Sequence, residues 1–108
     1  SVACAETIEN PTGDYKISLQ DSYGDGWNGA SIAVDIDGVV TNVTIDDGAS
    51  GSAIISIPDG ASSITFAYVS GDWDSEVTFQ ITSPSNNIIA SAGPSPAVGL
   101  IKLDLCKE

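Results

Sequence analysis

The sequence contains no histidine, no arginine and no methionine, and three lysines stand against 15 acids, for a net charge of −12. A nucleic-acid binder gains affinity by neutralising phosphates with Lys and Arg, and this chain has no such footprint. The same shortage of cations argues against docking on an anionic membrane. No apolar run approaches the roughly 20 residues that span a bilayer. Without histidine, and with only two cysteines, zinc centres and histidine-activated Ser or Cys nucleophiles are almost excluded. A pair of carboxylates can hydrolyse glycosides, but a domain of 108 residues leaves little room for a substrate cleft and shows no distinctive constellation. No enzyme is expected. The 42% hydrophobic content is that of a folded chain rather than a disordered acidic one. The chemistry must come from carboxylates, amides, hydroxyls and a few aromatics, within one domain spanning residues 1–108.

The two cysteines, Cys4 and Cys106, stand near opposite ends of the chain. A disulfide between them would close a loop of about 100 residues and contribute roughly 4–5 kcal/mol in the chain-entropy model; two buried free thiols are the alternative. A bridged, acidic, lysine-poor domain fits an oxidising compartment, secreted or at the cell surface. The chain reads as a monomeric module excised from a longer secreted protein. Asn42-Val43-Thr44 is a glycosylation sequon, of use only in a eukaryotic secretory host.

Helical spacing is missing, and alternation with a period of two recurs instead. Tyr15, Ile17 and Leu19 alternate with polar residues; so do Ile32, Val34 and Ile36; Ile64, Phe66 and Tyr68; Val77, Phe79 and Ile81; and Ile101, Leu103 and Leu105. Weaker strands are expected over 39–45, 53–57 and 87–92. Turn chemistry separates them at Asp37-Gly38, Asp47-Gly48, Pro58-Asp59-Gly60, Ser83-Pro84 and Gly93-Pro94. Seven or eight short strands with such turns predict an all-β fold, a single antiparallel β-sandwich of jelly-roll type.

Two loops exceed what a hairpin needs. In Asp21-Ser22-Tyr23-Gly24-Asp25-Gly26-Trp27-Asn28-Gly29, three glycines permit tight backbone curvature. Asp21, Asp25 and Asn28 place hard oxygens around that curve, and calcium takes six to eight such oxygens. An EF-hand is excluded, because its third position would be Tyr23 and its twelfth Ile32. Further ligands must come from elsewhere, and Gly71-Asp72-Trp73-Asp74-Ser75-Glu76 offers them. Asp72, Asp74 and Glu76 share a parity and would point one way from an extended chain. The alternative is a solvated acidic turn. Asp37, Asp46, Asp47 and Asp59 are assigned to plain turns. Both tryptophans, Trp27 and Trp73, lie in these loops. Each either caps an end of the sandwich or presents a ring face to pyranose C–H groups while carboxylates and metal take hydroxyls. Trp73, between two aspartates, is the first choice for such a platform; Trp27 is the better brace for its loop, and Tyr23 is a further candidate contact.

The string Asp21–Gly29, DSYGDGWNG, resembles a motif of small secreted modules in surface proteins and exported enzymes of marine and Bacteroidetes-type bacteria. In those modules a strand like 15–19 enters the motif and one like 31–37 leaves it. The domain is also similar to calcium-dependent carbohydrate-binding modules in which aspartates near a Trp hold the metal, as in Asp72-Trp73-Asp74. The resemblance implies a non-catalytic module that binds Ca2+ and a polysaccharide or cell-surface glycan. A calcium-rigidified structural or adhesive spacer without a sugar ligand is the competing expectation.

Overall fold

The computed structural model describes residues 4–105, with the backbone alone for Cys4. Cys106, and with it the expected bridge, lies outside the described residues. Among the described residues eleven strands run in order: β1 (Cys4–Ala5), β2 (Thr7–Glu9), β3 (Asp14–Asp21), β4 (Ser31–Ile36), β5 (Val39–Val43), β6 (Ser50–Ser56), β7 (Ser63–Val69), β8 (Val77–Thr82), β9 (Ile88–Ala92), β10 (Gly99–Leu100) and β11 (Leu103–Asp104). One sheet has the order β10-β7-β4-β5, with β2 also pairing β7, and the second has the order β6-β3-β8-β9. All these pairings are antiparallel. The expected β-sandwich is therefore the observed architecture. Among the described residues no helix is long and apolar enough to cross a membrane.

Alternation builds the core directly. Tyr15, Ile17 and Leu19 of β3 and Val77, Phe79 and Ile81 of β8 face Ile32 and Val34 of β4 and Ile64, Phe66 and Tyr68 of β7, all buried. Burying a side chain of this size contributes about 1.5–3 kcal/mol, so these two pairs of central strands dominate the stability. The expected strand at 101–105 differs. Gly99 and Leu100 pair with β7, whereas Leu103 and Asp104 pair with Cys4 and Ala5. Ile101 and Leu103 remain buried, so the alternation records burial correctly while the chain changes partners between them.

The chain crosses between these two sheets after β2, β3, β5, β6, β7 and β9. The crossings after β3 and β7 are the two long acidic loops. Asp21 of β3 pairs with Val77 of β8, so the end of one loop and the start of the other meet at the same end of the sandwich.

Candidate metal centre

Asp21 continues the row Tyr15, Ile17, Leu19 and thus points to the inner side of its sheet, where it is 3% exposed. A buried carboxylate needs donors, and the following loop curls round to supply them. The backbone N–H of Tyr23 donates to Oδ1 at 3.2 Å, and those of Gly24 and Asp25 donate to Oδ2 at 3.1 and 2.8 Å. Burial pushes the Asp21 carboxyl up, but these N–H groups and proton sharing with Asp25 outweigh it, so its pKa lies below the ordinary value.

The curl is tied down on both sides. Gly26 N–H donates to Gly48 O at 3.0 Å and Trp27 N–H to Ile45 O at 2.9 Å. Gly26 has φ +89°, and a Cβ there would come within 2.7 Å of the Asp46 carbonyl; both the dihedral and the space require glycine. Trp27 is 1% exposed. Its Nε1–H donates to Gln20 O at 2.9 Å, and its ring packs edge-on to Tyr68 and tilted on Phe79, with centroids 6.1 and 6.2 Å away. Trp27 is therefore a core plug that braces the loop. The expectation that its ring meets a sugar is corrected: the ring is buried.

The second loop docks on the first. Asp72 N–H donates to Asn28 O at 3.1 Å and Ser22 N–H to Glu76 O at 3.0 Å. It is not extended as parity supposed, because Asp74–Glu76 form a single 3-10 turn. Consequently Asp72, Asp74 and Glu76 do not act together. The Asp74 carboxylate accepts from Tyr68 Oη at 2.5 Å, Ser70 Oγ at 2.5 Å and Gly71 N–H at 3.0 Å. The Ser70 and Tyr68 hydroxyls and that N–H hold its pKa below the ordinary value, against the opposing effect of burial. Asp72 is exposed. Asn28 is half-buried and left-handed, with φ +53°; its amide donates to Asp25 Oδ2 at 3.3 Å, orienting that carboxylate.

Asp21, Asp25 and Glu76 do converge. One carboxylate oxygen from each lies within 4.8 Å of the others. Oxygens bound to one calcium at 2.3–2.6 Å are at most about 5 Å apart, so the spacing suits a shared cation. Glu76 Oε1 is buried and has no hydrogen-bond partner among the described residues, a costly state for an ionised oxygen unless a cation faces it. Loss of water raises the Glu76 carboxyl, and the Asp21 and Asp25 charges raise it further. Asp25 is exposed as a residue, yet the curled loop strips water from its carboxyl, raising it; proton sharing with Asp21 and the charges of Asp21 and Asp47 add to the shift. The expectation for Asp47 is a plain turn. Its turn reaches the site because Gly48 bridges to Asp25, a contact between distant loops that local composition does not signal. These three carboxylates can hold a metal ion, and as hard oxygen donors they suit calcium or magnesium rather than a soft metal. Tyr23 and Trp73, one on each loop, are 74% and 56% exposed.

Comparison with protein-family models, curated proteins and solved structures finds no match to this chain.

The Asp74 cluster gives a prediction of its own. A carboxylate with a depressed pKa stabilises the fold above its unfolded value near 3.9, and that contribution is lost as pH falls through the lower folded value. Asp74→Asn should therefore be less stable than the parent at pH 7, with the difference shrinking below about pH 3. Urea titrations at the two pH values check this; a difference independent of pH would contradict it.

Proposed function

We propose that the protein is a non-catalytic, calcium-dependent carbohydrate-binding module that recognises a polysaccharide or cell-surface glycan. The observation that carries this reading is the pairing of a three-carboxylate group with exposed aromatic side chains on the same two loops: Tyr23 follows Asp21 by two residues, and Trp73 precedes Glu76 by three. Calcium is the ion proposed, held by Asp21, Asp25 and Glu76 with remaining positions taken by water or sugar hydroxyls. Trp73 and Tyr23 supply apolar ring faces for sugar C–H groups. The DSYGDGWNG resemblance fits a secreted or surface-displayed module of a longer bacterial protein, and the excess of acids fits a partner that is neither nucleic acid nor anionic membrane.

A glycan array probed with calcium and with EDTA tests the reading. Binding should be modest, in the millimolar to micromolar range of about −4 to −8 kcal/mol, and should vanish in EDTA. Trp73→Ala should lose binding while keeping its melting temperature within about 2 °C, as expected for an exposed side chain. Binding retained in EDTA or in Trp73→Ala would contradict the composite site. A second reading, a calcium-rigidified spacer in a surface protein, is favoured by one observation: Asp21 and Glu76 Oε1 are buried, which places metal coordination toward the fold. An array without hits, together with calcium-dependent stability, would select it.

A further inference from the structure

The opposite flank of the sandwich carries an incomplete layer. Among the described residues β5 is the outer strand of its sheet and pairs only with β4. Its partners across the ladder, Ile36↔Val39, Val34↔Thr41 and Ile32↔Val43, place Val39, Thr41 and Val43 on the core side. Ile32 and Val34 are buried and Val43 is 7% exposed, but Val39 is 71% exposed, and Thr41 is exposed as well. The core face of this edge is uncovered at one end. A groove of about 410 Å³ opens there, lined by Ile36, Val39, Thr41 and Pro58, with the acids Asp37 and Asp59 also in its wall. Its mouth is fixed in place, since the Asp37 carboxylate accepts from the backbone N–H of Ser62 and Ser63, each at 2.9 Å at its shortest.

Natural edge strands are blunted by Lys, Pro, bulges or inward charges. The segment Val39-Val40-Thr41-Asn42-Val43-Thr44-Ile45 has no charge, proline or glycine. It is instead bracketed by acids, with Asp35, Asp37 and Asp59 toward one end and Asp46 and Asp47 beyond the other. We infer that the β5 edge is a docking site for an extended peptide strand of a partner protein, with alternate β-branched residues filling the groove and lysines or arginines at both ends. Main-chain pairing on a free edge supplies affinity, and pockets for alternate side chains supply selectivity. Charge complementarity selects a cation-flanked strand. It also argues against a second copy of this chain: each copy carries −12, and antiparallel self-pairing would set the Asp37 end against Asp46 and Asp47.

The test is an NMR titration of the 15N-labelled protein with the synthetic peptide acetyl-Lys-Lys-Thr-Val-Thr-Val-Thr-Lys-Lys-amide and its glutamate-flanked counterpart. The lysine peptide should shift amides of residues 36–43 and 59–61 saturably and bind at least about tenfold more tightly than the glutamate peptide, with the preference shrinking in about 1 M salt. Val39→Lys, which places a charge in the groove, should abolish binding. Val40→Lys makes the same charge change on the opposite face and should retain most of it; the dispersion of each variant's spectrum reports folding. Shifts absent from 36–43, equal binding of the two peptides, or equal losses in both variants would overturn the inference. So would concentration-dependent dimerisation through β5 in sedimentation, which would assign the edge to a second copy.

Discussion

Trp27→Ala is expected to cost about 3–5 kcal/mol of folding stability, the range for truncating a buried large aromatic. Three losses combine at this position. The ring is 1% exposed, and its removal leaves a cavity beside Tyr68 and Phe79, which stack on each other at 6.0 Å. The Gln20 carbonyl loses the indole donor. The motif loop also loses its ring anchor to the core, keeping the Asp21 carboxylate's hold on its N–H groups and backbone ties to Ile45, Gly48 and the second loop. Chemical denaturation measures the cost, with Trp73→Ala as the comparison, expected within about 0.5 kcal/mol of the parent because the site is exposed. Near-equal stabilities for the two variants would mean that Trp27 does not plug the sandwich.

Calcium should produce the second large effect. In the metal-free protein, Asp21, Asp25 and Glu76 crowd three carboxylates together, and the charges bearing on Asp25 and Glu76 are themselves acidic. A cation that binds only the folded state stabilises it by about 2.7 kcal/mol at 100 times its dissociation constant. For a domain of this size that corresponds to a rise in Tm of about 10 °C or more. The raised pKa values of Asp25 and Glu76 add a pH signature. Protons compete for these carboxylates at a higher pH than for ordinary ones, so calcium affinity should fall as the solution is acidified. Glu76→Gln separates the contributions. Glu76 Oε1 makes no hydrogen bond among the described residues, so the variant should melt no lower than the parent in EDTA and gain little from calcium. A calcium-induced rise of equal size in parent and variant would remove Glu76 from the site.

The sandwich was legible because burial on one face of each strand writes itself as alternation, most plainly at Tyr15–Leu19 and at Val77, Phe79 and Ile81. The partner exchange between Leu100 and Leu103 was not legible, since alternation reports which side is buried and not which strand is adjacent. At the site, Asp21 could be placed by extending the β3 row by one step inward. Glu76 entered on a parity argument that does not hold in the folded loop; the 3-10 turn at Asp74–Glu76 turns Asp74 to Tyr68 and Ser70 and leaves Glu76 alone to meet Asp21. Asn28 was read as an oxygen donor and serves as an amide donor to Asp25. Asp74, Asp72 and Asp47 differ in role for reasons that depend on loop-to-loop contact, which no single stretch of sequence encodes. Trp27 and Trp73 have similar neighbours in sequence and opposite burial; the curl round Asp21 turns Trp27 into the core.

Asp21, Asp25 and Glu76 are proposed to hold one calcium ion between the two loops. Calorimetric titration of the metal-free protein with calcium at neutral pH tests it most directly, comparing the parent with Glu76→Gln and Asp72→Asn. Saturable binding is predicted for the parent and for Asp72→Asn, whose exposed carboxylate lies outside the three-carboxylate group, with binding at least about tenfold weaker in Glu76→Gln. No calcium heat in the parent, or undiminished binding in Glu76→Gln, would contradict the account.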